Sequence, residues 1–266
     1  GRVDDATLAA ARIAGVDEVY RVGGAQAVAA MAYGTESIGA VDVIVGPGNR
    51  YVAEAERQVA DVVGVPSGIA GPSEVVVIAG PETPAELAAV DLVVQAEHGP
   101  NGLAWLVTWS EEVAAAVSAE VTRLVAESSR REDLEATLAD GGIVALVDGP
   151  AEACAVANAV APEHLELLVD DAEALLGSIE SAGAVFLGTL SPASFGDYLA
   201  GPNHVLPTNR SARFGSALRV DDFLRHIHAV SVDEKALETL GPHVVTLADT
   251  EGLPAHAQSV RVRWPR

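Results

Sequence analysis

The sequence predicts an α/β fold in which parallel β-sheet regions are connected by crossover helices. Apolar runs of strand length alternate with helical patterns along most of the chain. Gly-rich turns follow two of these runs and lead into helical segments, as expected where a strand enters a crossover helix. With 266 residues the chain is long enough for about two domains and a substantial hydrophobic core.

Residues 1–70 form the first predicted α/β region. Helices are predicted at 7–14, 26–33 and 50–63, and strands at 18–22 and 41–45. The turns at 23–24 and 46–49 each precede a helix N-terminus, where an anion or a dinucleotide could bind, although neither turn matches G-x-G-x-x-G or the P-loop pattern. Gln26 and Asn49 are the polar side chains placed to reach such a ligand.

Residues 71–218 form a second predicted α/β region, and residues 219–266 a smaller C-terminal segment. Strands are predicted at 74–79, 103–108, 142–147 and 184–187, and helical stretches at 84–98, 111–139 and 151–160. Residues 191–209 are expected to form a loop. The C-terminal segment is expected to contain short helices and a final basic strand at 260–264.

The charge of the chain argues against nucleic acid and anionic membranes as partners. Acidic residues number 38 and basic residues 16, which gives a net charge of −22, and such a surface repels phosphate groups. Lys235 is the only lysine. Abundant carboxylates with almost no lysine suggest adaptation to high salt.

A cytoplasmic location is expected from three further features. Cys154 is the only cysteine, so an intramolecular disulfide is excluded and a reducing compartment fits. No apolar run approaches the ~20 residues of a membrane span. The chain begins with Gly1 rather than Met, and no secretory signal is visible.

Gln95 and His98 stand three residues apart near the end of a predicted helix. This spacing places both side chains on one helix face, which suits two ligands of one cation. A histidine near a helix C-terminus is also favoured by the helix dipole without any metal. Both interpretations stay open on spacing alone.

Glu163 and His164 follow a proline, which is typical of the first turn of a helix. Adjacent Glu and His side chains can also divide acid and base duties, one activating water and the other moving a substrate proton. The alternatives are therefore an ordinary helix start and a catalytic pair.

Two further carboxylate–imidazole combinations lie in Gly/Pro-rich sequence. Asp197 and His204 fall in the predicted loop, where functional groups are often held on a rigid scaffold but polar residues also simply collect. Glu251 and His256 form a similar combination close to the C-terminus.

Taken together, these stretches resemble histidinol dehydrogenase. The resemblance runs in order over almost the whole chain, and it is carried by Arg-Val-Gly-Gly-Ala-Gln (21–26), Val-Gly-Pro-Gly-Asn (45–49), Ala-Gly-Pro-Ser-Glu (70–74), Gln-Ala-Glu-His-Gly-Pro (95–100), Ala-Pro-Glu-His-Leu-Glu (161–166), Gly-Asp-Tyr (196–198), Gly-Pro-Asn-His (201–204) and Leu-Pro-Ala-His (253–256). It implies two incomplete Rossmann-like parallel-sheet regions followed by a small, mainly helical C-terminal dimerisation segment. It also implies oxidation of L-histidinol to L-histidine with two NAD in succession.

The resemblance assigns a role to each candidate residue. Glu163 and His164 correspond to the catalytic pair, and Gln26 and Asn49 to NAD contacts. The implied zinc ligands are Gln95, His98, Asp197 and His256. The implied substrate-binding residues are Ser73, Gln95, His98, His164, Asp197, His204, Glu251 and His256. The C-terminal segment of the family crosses to the other subunit of a homodimer, so Glu251 and His256 are expected to complete the site of the partner subunit.

Members of the family are longer at the N-terminus by roughly one domain, and an NAD-contacting tyrosine would lie in that part. Two alternatives to the dehydrogenase therefore stay open. The chain is a non-catalytic remnant that binds zinc or an imidazole compound, or it is a zinc hydrolase in which Glu163 activates water. The hydrolase leaves Gln26 and Asn49 without a role.

Overall fold

A computed structural model describes residues 3–46, 48–66, 71–99 and 101–264. Parts of the 46–49 turn and of the strings at 70–74 and 95–100 lie outside the described residues. The chain divides into two compact units, Gly1–Phe223 and Leu224–Arg266. The division of the chain at 70 and 218 stays a prediction.

A five-stranded parallel β-sheet forms the centre of the first unit, with the strand order β3-β2-β1-β4-β5. The strands are β1 (Glu74–Ala79), β2 (Leu103–Thr108), β3 (Gly142–Leu146), β4 (His164–Leu168) and β5 (Ala184–Leu187). All six residues of the central strand β1 are buried, as expected for a parallel strand that is covered on both faces. The predicted α/β fold class is confirmed.

Helices cover both faces of the sheet. The helices of the first unit are α1 (Asp5–Ile13), α2 (Ala25–Tyr33), α3 (Arg50–Val59), α4 (Ala85–Ala96), α5 (Glu111–Glu127), α6 (Arg131–Gly141), α7 (Pro150–Val160), α8 (Ala172–Leu176) and α9 (Ala193–Tyr198). Because strand side chains alternate between faces, the odd-numbered residues of β1 pack against α4 and α5, whereas the even-numbered ones pack against α7 and α8.

The second unit contains α10 (Glu234–Thr250) and α11 (Pro254–Arg261). The basic strand predicted at 260–264 is wrong, because Val260 and Arg261 continue α11 through its hydrogen-bonded last turn. Across both units, no helix of the described residues is long and apolar enough to cross a membrane.

The helix start suggested for 162–164 is wrong, because this segment leads into strand β4. Ala161 adopts a left-handed conformation with φ of 52°, which ends α7. The chain then enters the sheet between β1 and β5, where each residue of β4 is buried. Pairing on both sides outweighs the local preference for a helix.

Three other predictions for the first unit need correction. Residues 18–22 form no strand and are exposed, and 41–45 contribute only an isolated bridge between Val43 and Gly64. A strand needs a continuous paired neighbour; among the described residues 18–22 have none, and 41–45 have only the single bridge to Gly64. The stretch at 111–139 is divided into α5 and α6, because the chain leaves the helix at Ser128.

Gly183 joins the start of β5 to the segment that carries Glu163. Its N–H donates to the carbonyl oxygen of Pro162 at 2.9 Å. A Cβ at this position would lie 2.6 Å from the carbonyl oxygen of Glu163 and 3.2 Å from Pro207 Cδ. The sheet therefore has no room for a side chain beside the backbone of Glu163.

We expect Gly183→Ala to lower the free energy of unfolding by about 1–3 kcal/mol, because the added methyl group forces the backbone of Glu163 to move. The control is Gly177→Ala, where φ is −64° and a Cβ meets open space. The control should leave stability unchanged or raise it by about 0.4–1 kcal/mol. Urea unfolding measures both, and equal effects of the two substitutions would contradict the packing argument.

Candidate functional site

Buried polar side chains gather at the edge of the sheet where β1 and β4 begin. Glu74 is the first residue of β1, and His164 is the first residue of β4 and pairs with Val75. Glu74, Glu163 and His164 are all less than a tenth exposed. Ligands of doubly wound sheets usually bind at the opposite, carboxyl edge, so the position of this cluster is unusual.

The backbone of Glu74 holds both members of the Glu163–His164 pair. Its N–H donates to Glu163 Oε2 at 3.1 Å, and its carbonyl oxygen lies 3.2 Å from His164 Nδ1. A carbonyl oxygen can only accept, so Nδ1 must carry the hydrogen and Nε2 is left with a free lone pair. Among the described residues, Nε2 of His164 has no hydrogen-bond partner.

Burial shifts the pKa values of the pair in opposite directions. Burial raises the pKa of Glu163 to about 7, helped by the charges of Glu74 and Asp197 and opposed by hydrogen bonds from the Glu74 N–H and Ser73. Burial lowers the pKa of His164 to about 4. At neutral pH the imidazole is therefore neutral, and the carboxyl group is close to its titration midpoint.

Asp197, on the short helix α9, brings a carboxylate to the pair. Its Oδ1 atom lies 3.7 Å from His164 Nε2 and 2.8 Å from His204 Nδ1. Ligand atoms of these three residues lie within 4.8 Å of one another. None of these three atoms makes a hydrogen bond of acceptable geometry with the rest of the described chain. A carboxylate and two imidazoles with unsatisfied atoms form a donor set that suits a divalent transition metal.

Gln95 lies in the last turn of helix α4, and His98 lies in the turn that follows the end of this helix. Gln95 is buried, and its Nε2 atom has no hydrogen-bond partner within the described part of the chain. His98 lines a cavity of about 520 Å³ together with Asp197 and His204. The charge of His98 also lowers the pKa of His164, which indicates that the two imidazoles are near each other.

The predicted zinc ligands and the cluster seen in the structure overlap only in part. The cluster contains His164, Asp197 and His204, whereas the resemblance implied Gln95, His98, Asp197 and His256. Asp197 belongs to both sets, and His98 shares its cavity. The ligand set stays a prediction.

Two other cavities are relevant to ligand binding. One of about 780 Å³ is lined by His164, Phe186 and His204, so the cluster lies between it and the cavity that contains His98. The other, of about 310 Å³, lies at the carboxyl edge of the sheet beside Thr83 and Trp109. Of these three cavities, only the one of about 780 Å³ is lined by a member of the acid–base pair, His164.

The other predicted site residues have different surroundings. Ser73 hydrogen-bonds Glu163 through its side chain. Gln26 and Asn49 are exposed at the N-termini of α2 and α3, and the Asn49 side chain accepts hydrogen bonds from the backbone N–H groups at the start of α3. Glu251 ends α10 and His256 lies on α11, both in the second unit. The roles assigned to these residues stay predictions.

Three acidic groups near this edge, the buried Glu74 and Glu166 and the half-buried Asp91, were not singled out from the sequence. Glu74 accepts a hydrogen bond from the backbone N–H of Asn209 through Oε1, at 3.1 Å. Glu166, on β4, is fully buried and hydrogen-bonds Asp91 of α4. A carboxylate inside an otherwise apolar run of strand length is the sequence signal for the two glutamates.

A parallel sheet that carries a buried Glu–His pair beside an unsatisfied carboxylate–imidazole cluster is an arrangement typical of metal-dependent enzymes. The family model for histidinol dehydrogenase matches residues 1–264, and the chain therefore belongs to the histidinol dehydrogenase family. The resemblance noted in the sequence is thereby confirmed.

Individual relatives agree with this family. The chain is 51% identical over 263 residues to histidinol dehydrogenase 1 of a Nostoc species and 51% identical over 263 residues to histidinol dehydrogenase of Agrobacterium fabrum. Each match covers 99% of this chain and 61% of the relative, so the chain spans about three fifths of their length. The crystal structure of histidinol dehydrogenase from Elizabethkingia anophelis superposes with a TM-score of 0.90 at 37% identity, covering 97% of this chain and 59% of that one.

The raised pKa of Glu163 predicts that the free energy of unfolding falls as the pH rises. An acid whose pKa rises from 4.5 to about 7 on folding stabilises the native state fully below pH 4.5 and loses this contribution as the pH rises through 7. We expect the stability of the wild type relative to Glu163→Gln to fall by on the order of 3 kcal/mol between pH 4.5 and 8. Urea unfolding with a chelator present measures this difference. Exposed Glu173→Gln is the control, and a pH-independent difference for Glu163→Gln would contradict the prediction.

Proposed function

We propose that this chain carries the acid–base residues of a zinc-dependent L-histidinol dehydrogenase, which oxidises L-histidinol to L-histidine with two NAD in the last step of histidine biosynthesis. The observation that carries the proposal is that the backbone of Glu74 holds both Glu163, through its N–H, and His164, through its carbonyl oxygen. Membership of the family supports the choice of substrate.

His164 acts in the first oxidation. Its Nδ1–H is held by the carbonyl oxygen of Glu74, so Nε2 is the only ring atom available to accept a proton. Nε2 takes the proton of the substrate hydroxyl while a hydride leaves the same carbon for the nicotinamide, and the product is the aldehyde. The low pKa of His164 keeps the imidazole neutral and ready to accept at physiological pH.

Glu163 acts in the second oxidation. Its carboxylate takes a proton from the water that adds to the aldehyde, and the hydrate then gives up a second hydride. A pKa of about 7 suits a group that must accept and release a proton in each cycle. The hydrogen bonds from Ser73 and from the backbone N–H of Glu74 hold the carboxylate in place during both transfers.

Zinc is proposed to bind Gln95, His98 and Asp197, with His256 of the partner subunit as the fourth ligand. The unpartnered buried Oδ1 atom of Asp197, the burial of Gln95 and the cavity that His98 and Asp197 share support this assignment. When bound, the metal polarises the groups of the substrate that coordinate it. His204 Nδ1 lies 2.8 Å from Asp197 Oδ1, and His204 is proposed to contact the substrate beside the metal.

NAD is proposed to contact Gln26 and Asn49. Both residues lie at N-termini of helices, where backbone N–H groups and the helix dipole favour the pyrophosphate. We further propose a cytoplasmic homodimer in which Glu251 and His256 complete the site of the partner subunit. The acidic composition supports a host with high internal salt.

Formation of NADH from L-histidinol by the zinc-loaded protein at molar salt tests the proposed reaction. We expect two NADH per histidinol. Glu163→Gln should slow oxidation of the aldehyde by about 10²–10⁴-fold, more than it slows oxidation of the alcohol, because only the second step needs an activated water. The rate of the second oxidation in the wild type should fall as the pH drops below 7, because Glu163 becomes protonated.

His164→Asn should show the reverse selectivity, and exposed His226→Asn is the matched control. Equal losses in both steps for each variant would contradict the division of roles. A folded wild-type protein that binds zinc and histidinol but forms no NADH would favour the alternative of a binding remnant.

Mixing two inactive variants tests the shared site. His98→Ala and His256→Ala damage residues that would come from different subunits, so a mixed dimer keeps one intact site of its two. Subunit exchange between the two variants should restore about a quarter of the wild-type activity. Activity that stays at the level of the single variants would place all ligands in one chain and contradict the proposal.

A further inference from the structure

The proposed mechanism leaves unexplained a pair of acidic side chains, the half-buried Asp91 on helix α4 and the fully buried Glu166 on strand β4. Glu166 has no exposed surface and lies on the same face of β4 as His164, two residues earlier. Its carboxyl group hydrogen-bonds that of Asp91. Such a contact needs a hydrogen on one of the two groups, since two carboxylates are both acceptors.

Glu166 also holds the start of α9. Its Oε1 atom accepts a hydrogen bond from the backbone N–H of Ala193 at 2.7 Å. Ala193 is the first residue of α9, and Pro192 before it provides no side-chain cap. Glu166 therefore satisfies a helix N–H group that has no partner within its own helix.

The position of Asp197 depends on this attachment. Helix α9 has only six residues, and Asp197 is the fifth of them. A helix this short is unstable by itself and takes its orientation from its contacts. Its anchoring at Ala193 therefore determines where the carboxylate of Asp197 lies.

Asp91 connects the same group to α4. Gln95 follows Asp91 by four residues, so these two side chains share one face of α4, and His98 lies two residues beyond the end of that helix. Glu166 thus binds α9 through its Oε1 atom and lies against Asp91 of α4, the helix that carries Gln95 and ends two residues before His98.

We infer that Glu166, together with Asp91, is a positioning residue that fixes α9 relative to α4 and so sets the distance between Asp197 and the Gln95–His98 pair. The inference rests on the proposed zinc site. Glu166 touches neither metal nor substrate in this arrangement. It acts through hydrogen bonds, for which an amide can substitute and a hydrocarbon cannot.

The test compares Glu166→Gln with Glu166→Leu. A glutamine keeps an acceptor for the Ala193 N–H and gains a donor for Asp91, whereas a leucine of similar volume removes both bonds. We expect the glutamine variant to keep the zinc affinity and the Co²⁺ absorption spectrum of the wild type. The leucine variant should lose about 10–100-fold in zinc affinity and show an altered Co²⁺ spectrum.

Thr83→Val is the matched control, because the Thr83 hydroxyl donates to the carbonyl oxygen of Leu168 at the other end of the same strand. It should lower the free energy of unfolding without changing zinc affinity. Asp91→Ala compared with Asp91→Asn gives a second pair in case Glu166→Leu does not fold. The alanine variant should weaken zinc binding, and the asparagine variant should not.

The outcomes separate this inference from the proposed function. Unchanged zinc affinity and Co²⁺ spectrum in folded Glu166→Leu or Asp91→Ala would overturn the positioning role while leaving the zinc site intact. Equal losses in Glu166→Gln and Glu166→Leu would also overturn it, because hydrogen bonding would not be the cause. A wild-type protein that binds neither zinc nor cobalt would refute the zinc site and the positioning role together.

Discussion

The candidate site depends on the backbone of one residue, Glu74 at the start of β1. Its N–H and its carbonyl oxygen are both used for side chains, those of Glu163 and His164. Both bonds come from a strand whose six residues are buried, so the pair is held by the most rigid part of the sheet rather than by a loop. The contact with the Glu74 carbonyl oxygen also fixes the hydrogen of His164 on Nδ1. Nε2 is therefore the ring atom that can accept a proton.

The same arrangement carries an energetic cost. Glu74, Glu163 and Glu166 are all buried in a protein that already has a net charge of −22, and burial raises the pKa of each. Ionising any of them in the folded state is unfavourable, so the apolar contacts on both faces of the sheet must offset the loss. Clusters of perturbed carboxyl groups of this kind are typical of functional sites rather than of structural cores.

The sequence predicts the parts of the fold that depend on local pattern. Strand β1 was located to the residue, because its apolar run contains no interruption after Glu74. Strand β4 was mistaken for a helix start, because His164 and Glu166 interrupt its apolar pattern and a proline stands before it. The polar residues of the site therefore hid the strand pattern in the sequence. Local sequence patterns are often broken in this way at functional sites.

The site was predictable only within single elements. Spacing on a helix places Gln95 next to His98, and the loop sequence places Asp197 near His204, but no local rule brings these two groups to the start of β4. Their proximity depends on long-range contacts, such as the hydrogen bond from the N–H of Ala193 to Glu166, which lies 27 residues earlier in the chain. Because α9 is too short to fix its own orientation, the geometry of the proposed metal ligands is determined by a strand residue that binds no metal. The distances between the proposed metal ligands therefore depend on the buried carboxyl groups that hold them as well as on the ligand residues themselves.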